Sequence, residues 1–139
     1  MVDADRVARK LLSLNEALSE LQRPEAADPQ ALTEDPLLRA AVERWLQVSI
    51  EACIDLAAHL IASEGWTPPQ SARAGFLVLA AHGRIPLELG RRLGLAASLR
   101  NLLVHDYAAV DLTRLAASVR EDAGDLRAFA AQAAAWMKE

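Results

Sequence analysis

The stretch Leu46-Gln47-Val48-Ser49-Ile50-Glu51-Ala52-Cys53-Ile54-Asp55-Leu56-Ala57 decides the fold class. Followed outward at helical spacing, Leu38, Val42, Trp45, Ser49, Ala52 and Leu56 make one stripe, and Leu46, Ile50, Cys53, Ala57 and Ile61 make another. Two stripes on one helix predict burial on two sides, as in a helix central to a bundle or shared with a partner subunit. Gln47, Glu51, Asp55 and His59 recur every four residues and form a polar ridge along the same helix. Its start is marked by Pro36, a favourable first-turn residue, with Asp35 as the cap. Its end is expected near Ser63, before Gly65 and Thr67-Pro68-Pro69.

The flanking segments continue the helical pattern. Asp3 is a candidate cap for a first helix running to about Gln22, with Val7, Leu11, Leu14, Leu18 and Leu21 in one stripe. Arg23-Pro24 ends it, because proline disfavours the helical conformation at the residue before it. The stretch through Asp28-Pro29 and Asp35-Pro36 reads as a loop with one short helical turn around Ala31. A short helix is expected from about Gln70 to Ala81, stopped by Gly83. Pro86 opens a fourth long helix, and Asp111 caps a last one running to about Trp136.

Composition agrees with an all-α reading. Hydrophobic residues make up 53% of the 139 positions but aromatics only 4%, which favours helix over sheet and excludes a disordered chain. No uninterrupted apolar run approaches a membrane span of about 18 residues, and the start lacks the regions of a secretory signal. The single Cys53 cannot close an internal disulfide. These features predict one cytoplasmic domain over residues 1–139, an up-and-down bundle of four to five helices with no membrane contact. The net charge of −4 argues against indiscriminate coating of nucleic acid, yet residues 70–120 carry seven arginines against three acids.

That basic segment contains Arg100-Asn101-Leu102-Leu103-Val104-His105-Asp106-Tyr107, where a phosphate-binding fork, a proton carrier and a phenol sit close together. Arginine grips phosphate with a permanently charged planar fork, and histidine exchanges protons near neutrality. Together they suffice for RNA cleavage without a metal, since the adjacent 2′-hydroxyl is the nucleophile. Asn101 stands four residues before His105, on the same helical face, and could orient it. On an unbroken helix, however, His105 falls about 140° around the axis from Arg100. Either the helix bends or ends between them, or a symmetric dimer completes the site; the two-sided burial of the long helix favours the dimer. The plainer alternative is a surface arginine and a histidine favoured by a helix C-terminus.

The spacing Arg100, polar Asn101, His105, Tyr107 strongly resembles the signature of the HEPN superfamily, and of the HepT-type toxins of HEPN/MNT toxin–antitoxin systems in particular. The stretch from Leu46 to Ala57 and Asp111 at the start of the last helix share this likeness, whereas Ala96-Ala97-Ser98-Leu99 departs from it. The resemblance implies a dimeric helical bundle with Arg100 and His105 catalytic in a cleft at the subunit interface, acting as a metal-independent endoribonuclease. It also implies a nucleotidyltransferase (MNT) antitoxin partner that transfers AMP to Tyr107. Adding that charge and bulk beside Arg100 would occupy the place of RNA phosphate. A non-catalytic module that binds nucleotide or a nucleotidyltransferase is the alternative, because some HEPN proteins lack catalysis.

Gln47 and Asp55 are candidate supporting residues, lining the dimer cleft, with an aspartate beside Arg100 holding its fork. The competing reading is a solvated helix face. No cluster of His, Cys and acids has metal-ligand spacing, so no metal and no cofactor are expected. Cys53 reads as a small core residue, His59 as hydrogen-bonded or solvated, and His82 as a helix-end residue. Trp45 reads as core, and Trp66 as the cover of a bundle end.

Overall fold

The computed structural model describes residues 2–105 and 111–138, and of His105 the backbone alone. Among the described residues the regular structure is entirely helical: α1 (Ala4–Glu20), a 3-10 turn (Pro24–Ala27), α2 (Pro29–Glu34), α3 (Pro36–Glu64), α4 (Ala72–Ala81), α5 (Leu87–His105) and α6 (Leu112–Trp136). The five longer helices match the expected bundle of four to five. The 3-10 turn and the six-residue α2 add to it, each with a proline in its first turn.

Side-chain caps set most of the starts. The carboxylates of Asp3, Asp28, Asp35 and Asp111 each accept a backbone N–H from the first turn that follows. Ser71 caps α4 by accepting the Ala74 N–H at 3.1 Å, so this helix starts slightly later than the expected Gln70. The ends of α3 and α4 share one device. Gly65 (φ 71°) and Gly83 (φ 72°) take the left-handed conformation, and the N–H groups of Trp66 and Arg84 return to the carbonyls of Ile61 and Leu79.

Helix α3 is the centre of the bundle and touches α1, α2, α4, α5 and α6. By length and composition it is apolar enough to cross a membrane. Half of that apolar stretch is instead buried inside the bundle, with Val42, Leu46, Ile50, Cys53, Leu56 and Leu60 each at most 1% exposed. Burial pushes the Cys53 thiol far up, which keeps it protonated and inert. Helices α4 and α5 lie especially close over Gly90, where a Cβ would stand 3.1 Å from the Phe76 carbonyl oxygen. The core is finished by an edge-to-face aromatic run, Phe76 to Phe129 to Trp136, with centroids 5.6 and 5.7 Å apart.

Asp122 on α6 is a local cost within this frame. Burial raises its carboxyl above the ordinary range, the hydrogen bond with Ser118 opposes this, and Asp125 and Glu121 add repulsion. The folded chain therefore holds this proton more tightly than the unfolded chain, and the associated stability is lost as pH rises through the raised pKa. Asp122→Asn, which can still accept from Ser118, is expected to raise the thermal midpoint at pH 7. The gain should shrink at an acidic pH below the raised pKa, where the wild-type group is also neutral. Thermal denaturation at the two pH values checks both the sign and the trend.

Candidate functional site: an arginine-lined groove between α3 and α4

Seven arginines supply the positive charge of residues 70–120, and most are engaged. Arg84 meets Glu64 at 2.9 Å, Arg91 meets Glu88 at 2.6 Å, and Arg92 meets Asp125 at 3.0 Å. Arg120 donates to the Ala27 carbonyl oxygen at 2.9 Å. Arg100 differs. Its Nε is buried and has no hydrogen-bond partner among the described residues. A buried polar group left unmatched costs about 1–3 kcal/mol, so its persistence requires an explanation outside packing.

Arg100 as a whole is only half-buried. Its side chain lines an open groove of about 430 Å³ between α3, the loop after it and the start of α4. Ile54, Ala58 and Ile61 of α3 form one wall, and Pro68 and Pro69 form the other. No carboxylate lines it among the described residues. The site therefore offers a cation inside an apolar slot, a fit for an anion that carries an apolar body.

Helix α5 continues through His105, so no helix end separates it from Arg100. One of the two routes to convergence is thereby narrowed, and positions 100 and 105 stand about 140° apart around one axis. Asn101 is exposed and in register with position 105, one turn earlier. Tyr107 lies outside the described residues.

The α3 candidates separate. Gln47 lies about two turns before Ile54 on α3 and is not among the residues that line the groove. Its amide donates to Glu51 at 3.3 Å. Asp55 turns the other way and pairs with Lys10 of α1 at 2.8 Å. Both line a separate surface groove of about 730 Å³ that also includes Arg6, Arg9 and Arg44. Within one chain Asp55 pairs with Lys10, not Arg100.

The remaining polar candidates have structural partners. His59 Nε2 accepts the Asp3 N–H at 3.1 Å, tying the start of α1 to α3. His82 stacks on Trp66 with rings 3.6 Å apart and 9° from parallel, pinning the loop that leads into Pro68-Pro69. Arg23 lies 5.9 Å from the half-buried Trp45 ring. His, Cys, Asp and Glu side chains form no group of three or more able to hold a metal ion among the described residues.

The sequence reading missed the walls of the groove. Ala58 and Ala62, four residues apart and exposed on a helix otherwise rich in large apolar residues, were the available signal. Pro68-Pro69 was legible only as a loop.

The fold and the groove define a small all-α bundle with an arginine in an apolar surface slot, and the comparisons narrow the class. Residues 14–133 match the family model described as Ribonuclease HepT-like. The chain belongs to this family. It is 30% identical over 125 residues to the mRNA nuclease HepT of Shewanella oneidensis, covering 90% of this chain and 93% of that protein. Its structure is similar to a tri-AMPylated Shewanella oneidensis HEPN toxin in complex with its MNT antitoxin, with a TM-score of 0.85 and 29% identity over 97% of this chain and 99% of that one. The cytosolic protein YutE of Bacillus subtilis, of unknown function, shares the fold at a TM-score of 0.87 with 17% identity, covering 99% of this chain and 92% of that one.

Proposed function

We propose that this protein is a metal-independent endoribonuclease toxin, one domain over residues 1–139, acting as a homodimer in the cytoplasm. We further propose that its cognate MNT antitoxin neutralises it by transferring AMP to Tyr107. The observation that carries this reading is Arg100 lining an apolar groove, with no carboxylate among the described lining residues, in a chain similar to an mRNA nuclease over nearly its whole length.

In this mechanism Arg100 holds the scissile phosphate and balances the charge that grows on it as the 2′-oxygen attacks. His105 handles the protons: the 2′-hydroxyl loses one, and the departing 5′-oxygen gains one. The phosphorus–5′-oxygen bond breaks as the phosphorus–2′-oxygen bond forms, leaving a 2′,3′-cyclic phosphate. Asn101, in register with His105, orients it. A second copy of the chain brings together the two functions that one helix holds about 140° apart. Gln47 supports the site from the neighbouring face of α3. Asp55 contributes through the α1 side, by holding Lys10.

Neutralisation follows the same electrostatics. The phenol oxygen of Tyr107 attacks the α-phosphate of a nucleoside triphosphate, pyrophosphate leaves, and the retained AMP places anionic charge where RNA phosphate would sit. Co-expression with the antitoxin followed by intact-mass measurement tests this. Wild-type protein should gain whole multiples of AMP, whereas Tyr107→Phe should gain none and stay toxic beside the antitoxin. AMP addition to Tyr107→Phe would refute this assignment.

A further inference from the structure

We propose that the groove between α3 and α4 is a nucleotide subsite that seats one RNA base next to the phosphate held by Arg100, with Gln70 reading the base edge. This inference rests on the ribonuclease reading and extends it to residues outside the Arg–His motif. Its volume, about 430 Å³, lies within the usual range for small-ligand sites, roughly 300–1,000 Å³.

The lining divides by chemistry. Ile54 and Ala58 on one side and the Pro68 and Pro69 rings on the other give two apolar surfaces, suited to the faces of a flat base. At the α4 end the lining turns polar, with Gln70 and Ser71. Ser71 Oγ is already an acceptor for the Ala74 N–H, which leaves its hydroxyl proton to donate. Gln70 is exposed and carries both a donor and an acceptor, the combination that distinguishes one base edge from another. The charge term comes from Arg100, the cation among the described lining residues, with no carboxylate beside it there to neutralise it. A nucleotide unit supplies both parts, an apolar planar body and a phosphate. The Trp66–His82 stack holds the proline wall in place.

The same chemistry could come from RNA or from the adenylate on Tyr107, and binding measurements separate them. The probes are fluorescent 2′-O-methyl homopolymers of A, C, G and U, in which the blocked 2′-oxygen prevents cleavage, together with free AMP. Ala58→Trp, at an exposed wall position, fills the slot; Gln70→Ala leaves it open and removes the reader. Sedimentation monitors assembly in each variant.

Ala58→Trp is expected to weaken all four homopolymers by about tenfold, the scale of losing one stacked base. Gln70→Ala should change their rank order. Homopolymer affinities equal to wild type in both variants would overturn the subsite, as would a wild type that binds none of them. Weakened AMP binding with unchanged homopolymer binding would also overturn it and assign the groove to the adenylate. Cleavage of unblocked RNA, measured in parallel, tests the ribonuclease reading separately. Cleavage with variant-insensitive binding sinks the subsite alone, whereas variant-sensitive binding without cleavage sinks the nuclease alone.

Discussion

Replacing Arg100 with methionine or His105 with alanine is expected to lower RNA cleavage by about a hundredfold or more. Proton transfer by a positioned side chain contributes about 10²–10⁴-fold, and removing one group that stabilises transition-state charge costs about 10²–10³-fold. Arg100→Met carries a second signature. The methionine keeps an apolar stem in the groove and removes a buried Nε that has no partner. Activity should therefore fall while the thermal midpoint holds or rises, since an unmatched polar group disappears. A structural arginine would behave in the opposite way, losing stability and leaving cleavage intact. Arg100→Lys should recover only part of the activity, because an ammonium cannot reproduce the planar fork on phosphate.

Phe129→Ala should cost about 3–5 kcal/mol of stability. Phe129 is completely buried and sits edge-to-face between Phe76 and Trp136, at 5.6 and 5.7 Å. Truncating it removes the transfer free energy of a phenyl ring and leaves a cavity that three packed helices cannot collapse into. It also ends both aromatic contacts, which join α4 to α6 and the middle of α6 to its end. Against a typical total of about 5–15 kcal/mol, the loss is a large fraction of the fold's stability. Urea denaturation should give a lower midpoint with an unchanged slope. A loss below about 1 kcal/mol would mean that the aromatic run is not the closure of the core.

The helices were legible because their limits are local chemistry. Asp3, Asp35 and Asp111 cap what they were expected to cap, and Gly83 ends α4 as the expected left-handed glycine after Ala81. The central place of α3 followed from two stripes on one helix. The 3-10 turn at Pro24–Ala27 did not, since two prolines five residues apart read equally well as loop. Partners across helices were out of reach in the same way. Asp55 shares a polar ridge with Gln47 in the sequence, but about 80° of helix rotation separates them. That rotation turns Asp55 toward Lys10, while Gln47 donates to Glu51. His59 and His82 likewise found partners, the Asp3 amide and the Trp66 ring, that no spacing rule supplies.

Arg100 was legible by motif and became specific only through its surroundings. Four other arginines of the same basic segment have acceptors, so composition alone could not separate the proposed phosphate-binding cation from the structural ones. The groove wall depends on where the Pro68-Pro69 loop folds back over α3, a tertiary fact with no periodic trace in the sequence.

The most direct test of the account is the chemistry of the cut itself. Purified protein, free of AMP by intact mass, is incubated with RNA in excess chelator, and the new termini are identified. The account predicts cleavage that persists in the chelator, with 2′,3′-cyclic phosphate on one fragment and a 5′-hydroxyl on the other. No cleavage, or 3′-hydroxyl and 5′-phosphate ends that vanish with chelator, would contradict it.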